Sequence, residues 1–212
     1  MSYSVKKAFF GDHVFDVWTD VYEPAEDSFF FAENLTVRDD EGVLDMGTGC
    51  GILGIVAAEK ASKVLAVDIN AQAVRCSKAN AKLNSVAGKM FFVQGDLFAP
   101  IRTGEKFDLI LFNAPYLPSE PCESQTWFGR AWAGGTNGRA IIDRFIHEVP
   151  RHLEKDGRVL LLQSTLADIN KTLKILEAEG LETRIAAKLD LPLFETIVLI
   201  EAKLKLHKYN GI

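Results

Sequence analysis

Between residues 42 and 113, short apolar runs alternate with longer amphipathic ones. "GVLDMG", "KVLAVDIN", "KMFFVQGD" and "FDLILFN" have strand length and strand composition, whereas "GILGIVAAEKA" and "AQAVRCSKANAKLN" have helical length and period. Strands separated by helices cannot close as hairpins. They need crossover connections, so the alternation dictates a parallel sheet with helices on its faces. The series continues with a helix in "GRAIIDRFIHEVPRHL", a strand in "GRVLLLQS", a helix in "LADINKTLKILEAEG" and two last strands, "LETRIAAKLD" and "FETIVLIEAKL", joined through Leu191-Pro192. That short connection predicts an antiparallel final pair. Ahead of the sheet, "AFFGDHVFDVW" reads as a hairpin turning at Gly11-Asp12. "EPAEDSFFFAENL" reads as a helix with Pro24 near its first turn, acidic residues where the helix dipole favours them, and Phe29, Phe30 and Phe31 in the core.

The expected organisation is a hairpin extension over residues 1–20 and one α/β domain over 21–212. A chain of 212 residues with 48% apolar content can bury a single large core. From Leu117 to Asn137 about twenty residues lack any periodicity, which is long for a compact domain and predicts a substrate-dependent lid with Gly134-Gly135 as its hinge. The formal charge of −5 offers no surface selected to neutralise phosphates, so extended nucleic-acid binding is disfavoured. Cys50, Cys76 and Cys122 are odd in number and lack C-x-x-C spacing, which argues against a disulfide framework and a zinc site, and for a reducing, cytoplasmic setting. His13, His147, His152 and His207 show no ligand spacing either. No segment reaches the ~18 apolar residues of a membrane span, and the first residues contain no signal-like apolar stretch.

One turn in the series is rich in glycine. Asp45-Met46-Gly47-Thr48-Gly49-Cys50-Gly51 lies where the first core strand gives way to a helix, and its glycines permit close approach of a ligand to bare backbone, with Cys50 as a small filler. Gly49, Gly51 and Gly54 also satisfy G-x-G-x-x-G, which keeps a dinucleotide and an NAD-linked oxidoreductase open. Asp45 weighs against that reading. A carboxylate there would repel a pyrophosphate yet attract the ammonium of an amino-acid moiety, and S-adenosylmethionine carries that group and no phosphate. Asp68 ends the next strand, where a carboxylate accepts hydrogen bonds from both ribose hydroxyls. Asp96 is placed to accept from the adenine amine, with Leu97 and Phe98 offering apolar surface to the ring.

Asn113-Ala114-Pro115-Tyr116 follows the fourth strand directly. A planar nitrogen conjugated to a carbonyl or an aromatic ring is a poor nucleophile, because its lone pair is delocalised. If the Asn113 side-chain oxygen and the Ala114 carbonyl accept its two N–H bonds, the nitrogen is fixed for in-line attack on a sulfonium methyl and gains electron density. Pro115 would stiffen the turn and Tyr116 would stack on the flat group. No metal and no side-chain base is required.

At these residues the whole chain resembles a family, the class I S-adenosylmethionine-dependent methyltransferases, and within it the HemK-like release-factor glutamine methyltransferases of the archaeal and eukaryotic branch. The resemblance rests on "VYEPAEDSF" at 21–29, "DMGTGCG" at 45–51, "VDIN" at 67–70, "GDL" at 95–97, "FNAPYLP" at 112–118 and "AWAGGTNGRAIIDRF" at 131–145. It implies a three-layer Rossmann-like fold whose seven-stranded sheet is mostly parallel with an antiparallel C-terminal strand. It implies cofactor contacts from Ser28, Asp45, Gly47, Gly49, Asp68, Asp96, Leu97 and Asn113, and a catalytic element formed by Asn113, Ala114, Pro115 and Tyr116. The family usually has threonine where Ser28 stands, which keeps the hydroxyl, and Asn-Pro-Pro-Tyr where this chain has Asn-Ala-Pro-Tyr, which keeps the carbonyl and relaxes the backbone.

The implied substrate is the glutamine of the Gly-Gly-Gln motif in the class 1 translation release factor. The implied partner is a small zinc-binding activator protein. Family topology puts the third strand, residues 89–96, at the sheet edge, and its unpaired backbone groups beside Met90, Phe91, Phe92 and Val93 suit an activator that adds a strand there. Methylation of adenine N6 in DNA or RNA is the alternative within enzymes. A NAD-linked oxidoreductase or a non-catalytic cofactor-binding module is the alternative outside that chemistry.

Overall fold

The hairpin forms first along the chain. In the computed structural model, which describes residues 5–205, β1 (Lys6–Phe10) and β2 (His13–Val17) pair antiparallel around Gly11-Asp12. Residues 1–4 of the expected extension, and His207, lie outside the described residues. Phe15 and Val17 are buried in the same core as Val43 and Ile55, so the hairpin packs as part of the main domain. Polar groups complete that packing. Helix α3 (Ala71–Leu83) and its C-cap Asn84 present two asparagine amides one turn apart, each of which both donates to and accepts from the backbone of one β2 residue. Asn84 pairs with Val14 at 3.0 and 2.8 Å, and Asn80 pairs with Asp16 at 2.9 Å in both directions. The match is geometric, since four helical residues rise about 6 Å and two strand residues about 6.8 Å.

The alternating segment then folds as its pattern requires. β3 (Gly42–Met46), β4 (Lys63–Asp68), β5 (Met90–Gln94), β6 (Phe107–Asn113), β7 (Leu153–Ser164), β8 (Leu181–Asp190) and β9 (Thr196–Leu204) form one sheet of order β5-β4-β3-β6-β7-β9-β8. β3 to β7 run parallel, and β9 is antiparallel to both neighbours, β7 and β8. Residues alternate between two cores. Val43, Leu109, Leu111 and Leu160 face the layer that holds α1 (Glu26–Glu33), α2 (Ile52–Ala58) and α3. Leu44, Met46, Ile110 and Phe112 pack against Ile142, Phe145 and Ile146 of α5 (Ala140–Glu148) and Leu176 of α6 (Ile169–Ala178). Each fully buried Leu, Ile or Phe side chain contributes about 1.5–3 kcal/mol, and burial on both faces explains why these strands read as continuous apolar runs.

Three expectations need correction. Pro24 lies outside the first helix, because Ala25 is its extended N-cap and α1 begins at Glu26. The strand expected at "GRVLLLQS" starts earlier, at Leu153, because Leu153 pairs with Phe107 before a register shift. The segment after Leu117 is not structureless: it contains a 3-10 turn at Glu123–Gln125 and the short α4 (Trp127–Arg130). Its ends are fastened, with Leu117 bonded to Trp132 and Gly134, and Ser119 to Gly135. A Cβ on Gly134 would come within 2.6 Å of the Gly138 backbone. Gly134 therefore allows the close packing of this turn, and Gly135 beside it takes a left-handed φ of +80°.

β5 does lie at the sheet edge. Met90 is buried, Phe92 is half-buried against the helical layer, and Phe91 on the opposite face is 59% exposed. The Lys89 carbonyl accepts from Val64, and the Gly95 amide donates to Asp68. Backbone groups alternate along a strand, so Met90, Phe92 and Gln94 turn theirs to the open edge.

Candidate active site

The chain order reverses between β4-β3 and β6, and there the carboxyl ends of the strands open a cavity of about 450 Å³. This is the switch point at which open α/β sheets bind ligands. Gly47, Gly49, Asp68, Asp96, Leu97, Asn113 and Tyr116 all line it.

The glycine loop is built around Asp45. That carboxylate is 1% exposed, and its Oδ2 accepts from Thr48 Oγ1 at 2.6 Å and from the Gly54 amide at 3.1 Å. Burial pushes its carboxyl up to about 6, against the lowering effect of those two bonds. Gly54 is explained by the same contact, since a Cβ on it would stand 2.7 Å from Asp45 Oδ2. The amide at the start of α2 is therefore committed to the protein's own carboxylate. In a dinucleotide site, such amides face a pyrophosphate. Gly49 adopts φ +56°, and a Cβ there would meet only the Gly47 carbonyl at 4.0 Å, which leaves open space for a ligand against the loop. The donor set at this end is carboxylate and bare backbone, which suits an ammonium and a ribose and does not suit phosphate.

Asp68 ends β4 and fastens the loop from the other side. Its Oδ2 accepts from the Gly49 amide at 2.9 Å and its Oδ1 from the Asn70 amide at 2.8 Å. A carboxylate offers about four acceptor sites, so acceptor capacity remains for a ligand. Asp96 is 44% exposed and pairs with Arg144 of α5 at 2.7 Å, a partner the sequence did not indicate. Leu97, at φ +47°, is buried beside Phe98. Cys50 is buried in the loop, as a filler would be.

Asn113 closes β6, followed by buried Ala114 and half-buried Pro115 and Tyr116. The structure gives the Asn113 amide two partners from α1: Nδ2 donates to Asp27 Oδ2 at 3.0 Å and to Ser28 Oγ at 3.3 Å. Tyr22 donates to the other oxygen of Asp27 at 3.3 Å. Burial, and then the charge of Asp27, push the phenols of Tyr22 and Tyr116 well above the ordinary tyrosine value, so both stay neutral. Ser28, expected at the cofactor, thus has its hydroxyl at the Asn113 end of the cavity. Asp27 and Tyr22 were missed as site residues. Both stand inside "VYEPAEDSF", where an acid in the first turn of a helix is sufficiently accounted for by the dipole.

A model of the methyltransferase small domain matches residues 23–127. A Methanocaldococcus jannaschii protein named as a protein N5-glutamine methyltransferase is 45% identical over 185 residues, which cover 86% of this chain and 91% of that protein. Human methyltransferase HEMK2 is 34% identical over 78% of this chain and 81% of its own length. The chain belongs to the HemK-like class I methyltransferases. Among solved structures, the Mtq2 methyltransferase of E. cuniculi, in complex with Trm112, superposes with a TM-score of 0.68 at 26% identity, over 88% of this chain and all of that one. That complex is described as responsible for methylating the translation termination factor eRF1. The methyltransferase fold expected from the sequence is thus the one observed, down to the antiparallel β9 and the position of β5 at the edge.

Proposed function

We propose that this enzyme binds S-adenosylmethionine in the cavity and methylates the side-chain N5 of the glutamine in the Gly-Gly-Gln motif of a class 1 translation release factor, in the cytoplasm. One observation carries the reading: a single cavity holds a glycine loop closed by Asp45 in place of phosphate and the amide-bearing strand end at Asn113. The N5-glutamine chemistry in the name of the Methanocaldococcus relative and the termination factor named for the Mtq2–Trm112 complex support the same substrate.

When bound, the donor would supply an electrophilic sulfonium methyl and keep the S–C electron pair, while the substrate amide nitrogen would give its lone pair and lose one proton to solvent. The chain's own residues supply placement. Asp45 and the loop backbone receive the amino-acid end, Asp68 the ribose, and Asp96 with Leu97 the adenine. Asn113 Oδ1 and the Ala114 carbonyl accept the two N–H bonds of the substrate amide, which holds the nitrogen in line and concentrates charge on it. Pro115 fixes the turn and Tyr116, neutral, covers the amide plane.

A small zinc-binding activator protein would join through β5. Exposed Phe91 and the outward backbone of Met90, Phe92 and Gln94 offer the apolar and hydrogen-bonding halves of a strand addition. The direct test incubates the enzyme with methyl-labelled donor and a release factor, with and without the activator, and maps the label. Label on the motif glutamine is expected. Label on adenine in added nucleic acid, or binding of NAD with none of S-adenosylhomocysteine, would overturn the reading.

A further inference from the structure

We infer that Asp27 is a positioning residue for methyl transfer, acting through Asn113: its carboxylate orients and polarises the amide that receives the substrate's N–H. The inference rests on the function proposed above.

Orientation follows from what the atoms can do. An ionised carboxylate only accepts hydrogen bonds, whereas a primary amide has one donating and one accepting end. With Asp27 Oδ2 3.0 Å away, Asn113 must turn its NH₂ toward α1, and Ser28 Oγ takes the second N–H. That leaves Oδ1 to the cavity that Asn113 lines. A flipped amide would put an N–H against the substrate's N–H and block binding.

Burial makes a merely structural role for Asp27 a costly one. Asp27 is 7% exposed, and its partners are the Ser28 amide at 2.6 Å, the Ser28 hydroxyl at 3.2 Å, the Tyr22 phenol at 3.3 Å and Asn113. None is a cation, and among the described residues no ion pair reaches it. A buried anion held only by neutral donors is expensive, and a dipole partner for α1 would serve as well in solvent. Its place beside the reacting amide gives the charge a use. Hydrogen bonds in series polarise one another, so a chain that ends on an anion makes Asn113 Oδ1 a stronger acceptor. As the substrate nitrogen spends its lone pair, its N–H groups become more acidic and gain most from that acceptor. The benefit therefore belongs to the transition state more than to binding.

The test combines kinetics with a readout independent of activity. Asp27→Asn keeps the shape, removes the charge and lets the two amides pair either way round. It should lower kcat roughly 10- to 100-fold. KM for the release factor and the Kd for S-adenosylhomocysteine should move by less than about threefold. Asp27→Ala should lose more and regain turnover as formate is added, because the site opens on the cavity. In the wild-type protein labelled with ¹⁵N, the Asn113 NH₂ protons should be well separated and slow to exchange, and should collapse toward ordinary values in Asp27→Asn. A folded Asp27→Asn enzyme with wild-type kcat, or an Asn113 NH₂ that exchanges freely in the wild type, overturns the inference. A wild type that leaves the release factor unlabelled strikes the function instead, and the NMR arm then decides Asp27 alone.

Discussion

Asp68 and Gly49 are joined by a 2.9 Å hydrogen bond, so the carboxylate that ends β4 fastens the turn that follows β3. The same side chain is proposed to hold the ribose, and loop shape and donor affinity therefore depend on one residue. Asp68→Ala should weaken binding of S-adenosylhomocysteine by about 1.5–3 kcal/mol, the scale of hydrogen bonds to a charged acceptor. Calorimetry measures this directly, and unchanged affinity would remove Asp68 from the donor site.

Asn113→Ala separates chemistry from donor binding. It deletes a preorganised acceptor and leaves Asp45 and Asp68 in place, so turnover should fall by ~10²-fold or more while donor affinity holds. Wild-type turnover in single-turnover assays would exclude Asn113 from the mechanism.

Asp45 ties stability to pH with a definite sign. Its carboxyl titrates near 3.8 when unfolded and near 6 when folded. Between those values the folded state holds more protons, so its contribution is fully present below 3.8 and is lost as pH rises through about 6. The charged form costs about 3 kcal/mol at neutral pH. Asp45→Asn retains an oxygen for Thr48 and Gly54 and cannot ionise, so it should be more stable than wild type at pH 7, with the difference shrinking toward pH 4. Donor affinity should fall in the same variant. Denaturation across that range checks the slope, and a constant difference between the two proteins would contradict a charged Asp45.

The open edge of β5 gives a partner prediction. Gln94 is exposed and turns its N–H outward, so Gln94→Pro removes a donor that the sheet does not use and spares the packing of Phe92. Copurification with the zinc-binding activator should be lost, as it should in Phe91→Asp, while S-adenosylhomocysteine still binds. Retention of the partner by both variants would move the interface elsewhere.

The order of strands and helices, the glycine loop and the place of Asn113 at the end of a strand are local properties, and the sequence alone determines them. A parallel strand buried on both faces is apolar through its middle, so the run "LILF" at 109–112 marks β6. Left-handed backbone favours glycine, and three of the five residues at 47–51 are glycines that adopt it, so that loop stands out as well. What only the tertiary structure decides is which polar groups meet. Asp27 and Asn113 are 86 residues apart, and Asp96 and Arg144 are 48 apart. An acid in a helix's first turn looks the same in sequence whether it faces water or a buried amide. Likewise, the segment after Leu117 lacks periodicity, but its fastening to Ala133 and Gly135 comes mainly from backbone groups, which leave no trace in side-chain pattern. Periodicity records burial along one element. Hydrogen bonds between elements depend on where the folded chain carries each of them.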